Sequence, residues 1–169
     1  GLSRSGCAAA EFLLERKAKV YIYDDVPGEG VEKSARLLED KGAVRADKEQ
    51  LPRMQEICDA LVLSPGIPID HPTAVAFKRS GKAVVGETEL AARYMRCPVV
   101  AVTGTNGKTT TVSMLEKILS EGGYKAQSCG NIGSPMVKYA ELKEDEVAVA
   151  EISSFQLETL NSLCPHAVS

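Results

Sequence analysis

The sequence predicts an α/β protein built on mostly parallel sheet, and three observations carry that expectation. Short β-rich runs alternate with helical runs at the spacing of strand–helix–strand units. The run from Pro98 to Thr103 (PVVAVT) is apolar on both faces, as a central parallel strand covered by helices must be. The glycine-rich run from Thr103 to Thr110 (TGTNGKTT) joins that strand directly to a helical pattern.

Taken in order, residues Cys7 to Arg16 read as a helix behind a Gly-Leu-Ser-Arg-Ser-Gly opening, and Lys19 to Asp24 as a strand. Gly30 to Lys41 carries apolar residues at Val31, Ala35 and Leu38, a helical spacing closed by Gly42. Leu61 to Ser64 is a short apolar strand ended by Pro65-Gly66. A helix over His71 to Ser80, a strand over Ala83 to Gly86 and a helix over Glu87 to Arg96 follow. Beyond the strand ending at Thr103, a helix runs to about Glu121. A weak strand over Lys125 to Ser128, a short helix over Pro135 to Leu142 and a strand over Glu146 to Glu151 come next, and Val168 starts another strand. Two sets of units result, divided near Cys97-Pro98: residues 1–96 and residues 97–169.

Composition bounds the function. The chain has 169 residues, 25% of them charged and 44% hydrophobic, which is globular and not disordered composition. A net charge of −3 argues against a basic nucleic-acid-binding face. No apolar stretch reaches the roughly 18 residues of a membrane span, and no signal-peptide pattern is read at the start. Five cysteines, never paired as CxxC, fit neither a disulfide framework nor a zinc site and point to a reducing cytoplasm. The chain opens without Met or a leading strand and stops at His166-Ala-Val-Ser169 as an apolar run begins. A fragment cut inside one element at each end is therefore expected.

The phosphate loop is the sharpest feature. A tight turn between strand and helix aims backbone N–H groups and the positive helix end at a polyphosphate. Gly104 and Gly107 let the backbone approach closely, Lys108 supplies a point charge to the β- and γ-phosphates, and Thr109 offers a hydroxyl to Mg²⁺. The general pattern asks for a glycine where Val102 stands, so this is a variant of it. Downstream, Glu151 ends an apolar strand. Strand C-termini gather on one edge of a parallel sheet, so its carboxylate is expected beside the loop, on Mg²⁺ directly or through water. In Gly130-Asn-Ile-Gly133, Asn131 reads equally as a turn residue or as a group reaching a phosphate or an acyl group.

The N-terminal loop resembles a dinucleotide loop with Ser3 at the middle glycine. Asp24 follows it at close to the roughly 20-residue spacing of a ribose-binding acid, and reads equally as a capping acid. Ser64 and Gly66 belong to a turn at the end of a parallel strand, read either as a ligand edge or as a plain Pro-Gly turn.

Together, TGTNGKTT at 103–110, GNIG at 130–133 and EISSFQLET at 151–159, with LSPGIP at 63–68 and GETEL at 86–90 upstream, resemble the Mur ligase family over essentially the whole chain. The EISSFQLE and SPGIP stretches are most similar to its D-glutamate-adding branch. The resemblance implies a Rossmann-like UDP-binding domain over 1–96 lacking its first strand, then the first half of a P-loop ATPase-type domain over 97–169. It also implies a C-terminal amino-acid-binding domain that lies outside this sequence. The implied reaction is ATP-dependent amide formation: the carboxyl of UDP-N-acetylmuramoyl-L-alanine becomes an acyl phosphate, and the amine of D-glutamate displaces phosphate. Carried over residue by residue, Gly104, Thr105, Asn106, Gly107, Lys108, Thr109 and Thr110 would hold ATP, and Thr109 and Glu151 would bind Mg²⁺. Lys108, Glu151 and Asn131 would be the catalytic set. Arg4, Ser5, Asp24, Ser64, Pro65 and Gly66 would hold the UDP part. Ser3, and Asp25-Val26 after Asp24, depart from the family's pattern. The family's carbamylated lysine and metal-side histidine would lie beyond Ser169, so His71 reads as a helix N-terminal residue and His166 as a loop residue before a strand. A monomeric cytoplasmic ligase without nucleic-acid or membrane partners is the expectation.

Three other readings fit parts of the chain. A folylpolyglutamate synthase or other ligase of the superfamily is expected to start near the phosphate loop, without the upstream domain. A nucleotide-binding module would bind without chemistry. A dinucleotide oxidoreductase rests on residues 1–24 alone and leaves the phosphate loop without a purpose.

Overall fold

The computed structural model describes residues 1–168. The chain divides into two compact units, Gly1–Glu87 and Thr88–Ser169, the division falling upstream of the 96/97 boundary read from sequence.

In the first unit, α1 (Arg4–Glu15), β1 (Tyr21–Ile22), α2 (Glu29–Asp40), β2 (Val44–Arg45), α3 (Leu51–Ile57), β3 (Ala60–Leu63), α4 (Pro72–Arg79) and β4 (Ala83–Gly86) follow one another. β1 pairs parallel with β2, and β3 pairs parallel with β4 in the register Ala60↔Ala83 to Leu63↔Gly86. Alternation along one strand sorts the core into two layers. Val20 and Ile22 pack with Leu2 and Ala10 at α1 and with Ala35 and Leu38 of α2. Tyr21, between them, packs instead with Met54 of α3 and Phe77 of α4. Helices therefore cover this β region on both faces, as a parallel arrangement requires.

The second unit, from α5 (Glu87–Ala92), continues with β5 (Val99–Val102), α6 (Lys108–Glu121), β6 (Lys125–Gly130), β7 (Glu146–Glu151), α7 (Ser154–Leu157) and β8 (Ala167–Val168). Its sheet is wholly parallel, in the order β6-β7-β5-β8. β7 is buried from Val147 onward because it lies inside the sheet, and Val149 packs with Val102 and with Val112 of α6. Register decides what meets at the sheet edge: Glu151 stands opposite Val102 on one side and Gly130 on the other.

The α/β class and its parallel sheets match the reading of the sequence, with local differences. α5 stops at Ala92 rather than Arg96, ahead of Pro98, which excludes helical continuation. The helix expected over Pro135 to Leu142 shrinks to a 3-10 turn, Met136–Tyr139. Its bonds run from Lys138 N to Pro135 O and from Ala140 N to Val137 O, and its anchors are the buried Met136, Val137 and Ala140. β2 is two exposed residues, too short for any periodicity to announce. α3 did carry a signal: Asp47 and Gln50 form a capping box just before it. Among the described residues no helix is long and apolar enough to cross a membrane.

Candidate functional site

The phosphate loop is built by chain geometry before any side chain is considered. β5 delivers the chain to Thr103, and α6 begins at Lys108 with Gly107 as its N-terminal residue in the left-handed region, φ 79° and ψ −8°. A Cβ at Gly104 (φ 131°) or Gly107 would meet nothing within 4 Å, so backbone conformation and not crowding demands glycine there. Gly107 has no side chain to cap the helix, so the first-turn N–H groups of a 14-residue helix face the loop with their partial positive charge. Lys108 lies over this loop, its ammonium donating to Gly104 O at 2.7 Å and to Thr105 O at 3.5 Å.

Glu151 is the centre of the site. Its residue is only 3% exposed, and both carboxylate oxygens are engaged by side chains. Thr109 Oγ1 donates to Oε2 at 2.8 Å, and Asn131 Nδ2 donates to Oε1 at 2.8 Å. The Asn131 main-chain N–H also donates to Glu151 O at 2.9 Å. That double contact depends on Gly130, φ 97°, where a Cβ would come within 2.3 Å of Glu151 O. The ends of β6 and β7 approach closer than any other residue type allows. Of the expected residues, Thr109 and Asn131 thus each bond Glu151, and Lys108 sits one position before Thr109.

Thr109 and Glu151 supply a hydroxyl and a carboxylate, the oxygen donors a hard divalent cation takes. Among the described residues no group of three His, Cys, Asp or Glu could hold a metal by themselves. A buried carboxylate served by two neutral donors is also short of positive charge, which a cation would supply.

In the first unit the expected residues serve the chain itself. Asp24 Oδ2 accepts from Leu2 N at 2.6 Å and Oδ1 from Val26 N at 2.9 Å. Partial burial pushes its carboxyl up, but those two amides together with the nearby Gly1 ammonium outweigh it and hold it below the usual range. Ser64, buried, donates its hydroxyl to Gly1 O at 3.1 Å, and Gly1 N donates to Tyr23 O at 2.8 Å. Gly1 thus links the ends of β1 and β3. Pro65 and Gly66 form a turn closed by Ile67 N on Ser64 O, while Arg4 and Ser5 open α1. His71 begins α4 as the sequence suggested, its Nδ1 accepting from Thr73 N at 3.3 Å, and His166 immediately precedes β8. Asp25 accepts from the Tyr23 phenol at 2.6 Å and faces His71 Nε2 at 3.3 Å. The bond to Asp25 pushes the Tyr23 phenol up to about 12.

A polar cluster in the second unit escaped sequence reasoning. Thr88 accepts from Gln156 Nε2 at 2.8 Å. Glu89 accepts from Asn161 N at 2.8 Å, Ser162 N at 2.9 Å, Ser162 Oγ at 2.7 Å and Arg93 Nε at 2.8 Å. Burial raises the Glu89 carboxyl, and these donors reverse that and hold it down to about 2. The Ser153–Gln156 capping box was a legible signal for α7; the partners in α5 were not, being about 70 residues away along the chain.

A wholly parallel sheet with a glycine loop feeding a helix, and an acid at the next strand's end, defines an α/β protein of the P-loop type. Residues 102–168 match the Mur ligase middle domain. The chain is 42% identical over 166 residues to the UDP-N-acetylmuramoylalanine--D-glutamate ligase of Koribacter versatilis. It is 39% identical over 167 residues to that of Desulfatibacillum aliphaticivorans. Each alignment covers 98% of this chain and 37% of the relative, so the chain spans well under half the length of these curated relatives. Among solved structures, the UDP-N-acetylmuramate:L-alanyl-gamma-D-glutamyl-meso-diaminopimelate ligase from Neisseria meningitides shares the fold. It has a TM-score of 0.56 at 18% identity, over 96% of this chain and 55% of that one. The chain belongs to the Mur ligase family.

Proposed function

We propose that this chain carries the nucleotide-phosphate site of an ATP-dependent ligase that joins D-glutamate to UDP-N-acetylmuramoyl-L-alanine in peptidoglycan precursor synthesis. The observation that carries the reading is the meeting of Thr109, Asn131 and Glu151 at one edge of a parallel sheet, beside a loop whose amides and lysine suit a polyphosphate. The names of relatives about 40% identical to this chain over the aligned residues suggest the substrates.

In this reading the residues from Gly104 to Thr110 wrap the ATP phosphates, and Lys108 exchanges the Gly104 carbonyl for phosphate oxygens. Thr109 and Glu151 hold Mg²⁺. The ion, when bound, neutralises phosphate charge as the γ-phosphoryl group moves. A carboxylate oxygen of the UDP-linked alanine attacks the γ-phosphorus and ADP leaves. The D-glutamate amine then attacks the acyl carbon, loses a proton and expels inorganic phosphate. Lys108 serves the first step most, because its ammonium, once turned to the phosphates, would offset the negative charge that gathers at the transferring group. Asn131, anchored through Glu151, orients the substrate near the acyl group. Arg4, Ser5, Asp24, Ser64, Pro65 and Gly66 bind the UDP part, and the enzyme works as a cytoplasmic monomer.

The test is phosphate release by the whole enzyme with ATP, Mg²⁺ and UDP-N-acetylmuramoyl-L-alanine across a panel of amino acids. Release with D-glutamate alone is expected. Release with a different amino acid would move the protein to another branch of the family, and no amino-acid-dependent release would overturn the ligase reading.

A further inference from the structure

The chain beyond Glu151 is held in a way the phosphate site does not require. From Ser153 to Pro165 its regular structure is the four-residue α7 and no strand. Two consecutive residues of α5 grip this stretch at two places: Thr88 holds Gln156, and Glu89 holds Asn161 and Ser162. The Glu89 side chain is 0% exposed, although its partner Arg93 is half exposed. Burying a carboxylate is costly unless its oxygens are fully served, and this one accepts four bonds, two of them from adjacent main-chain amides. An anion shared by two successive N–H groups fixes the orientation of the peptide between them, which a single side-chain contact would not do.

The position of this stretch gives the clamp its meaning. Ile152 N is bonded to Val102 O, so the chain leaves the sheet at the edge where Glu151 meets Thr109 and Asn131. Ser153 then begins α7 through its capping box with Gln156, and Ser154, Phe155 and Leu157 are exposed, Phe155 by 62%. The loop from Gly104 to Gly107 and the first turn of α6 already account for a polyphosphate, so a surface on the neighbouring stretch is available to the other substrate. Resting on the ligase reading above, we infer that Glu89 is a positioning residue. It fixes the stretch from Ser153 to Ser162 so that its exposed face meets the acyl-bearing substrate and not the nucleotide.

The experiment is Glu89→Gln in the whole enzyme, with Ser162→Ala as a milder companion that removes one donor and leaves the carboxylate paired. Steady-state kinetics with ATP, UDP-N-acetylmuramoyl-L-alanine and D-glutamate are read beside hydrogen exchange of the Asn161 and Ser162 amides. For Glu89→Gln, kcat is expected to fall about tenfold and the KM for the UDP substrate to rise about threefold, with the KM for ATP within about twofold. The two amides should exchange about tenfold faster, since bonds to a charged acceptor are lost. Ser162→Ala should move the same quantities in the same direction by less. Faster exchange with unchanged kinetics would overturn the positioning role, as would an equal loss of ATP affinity. Unchanged exchange would overturn the clamp itself. A wild-type enzyme that turns over normally, but with an amino acid other than D-glutamate, would revise the ligase reading and leave the Glu89 result to stand on its own.

Discussion

Two acids near strand ends, one in each unit, are served by different kinds of donor. In the second, Glu151 is bonded to side chains, Thr109 from the helix after the loop and Asn131 from the turn after β6. In the first, Asp24 is bonded to main-chain amides, those of Leu2 and Val26. Side-chain donors can turn to admit a cation or a phosphate while the fold stays intact. Amide donors cannot leave without the backbone moving. The comparison separates an acid arranged for exchange of partners from one whose first duty is to hold the chain that forms the loop.

Three substitutions sharpen that contrast, taken from the largest effect to the smallest. Lys108→Ala should lower kcat/KM by about a thousandfold, the scale seen when a preorganised charge partner of a transition state is lost. Stability should stay within about 0.5 kcal/mol, because the residue's bonds are to its own loop. Steady-state phosphate release and thermal melting together check this, and near-normal turnover would remove the loop from the site. Glu151→Ala should raise the Mg²⁺ concentration needed for half-maximal rate by about tenfold and lower kcat by about a hundredfold. A Mg²⁺ titration showing no change in metal dependence would take Glu151 off the cation. Asp24→Ala should act mainly on stability, costing about 1 kcal/mol by orphaning the part-buried Leu2 amide, with a smaller effect on the rate at saturating UDP substrate.

The Asp24 effect carries a pH signature. Its carboxyl is held below its ordinary value of 3.8 in the folded chain. The charged form is therefore favoured by folding, and the stabilisation is fully present above pH 3.8. It is lost as pH falls from there through the lowered value. Denaturation curves of wild type and Asp24→Ala should converge in that acid range and stay apart at neutral pH. Parallel curves throughout would show that the two amides are not what the carboxylate serves.

Much of the phosphate site was legible because it is local. A both-faces-apolar strand, glycines at positions that need positive φ, and a helix beginning at Lys108 follow one another within about a dozen residues. Short-range sterics and periodicity dictate such a unit. Asn131 was legible only as a turn residue with an open role. What its side chain touches depends on β6 pairing with β7 in one register, which sets Gly130 opposite Glu151. A slip of one residue would turn every side chain of the strand to the other face. The clamp from α5 was not legible at all, because GETEL reads as an ordinary helix start until the stretch after Glu151 folds onto it.

The sequence by itself determined the class of fold, the phosphate loop with its lysine and threonines, the acid at the end of β7 and the helix cap at His71. Each is encoded within one turn, one strand or one strand–loop–helix unit. Only the tertiary structure decided which groups share a carboxylate. The bonds that do so join residues 20, 42 and 72 positions apart, and they exist because parallel pairing brings strand ends to one edge and burial forces each acid there to find donors.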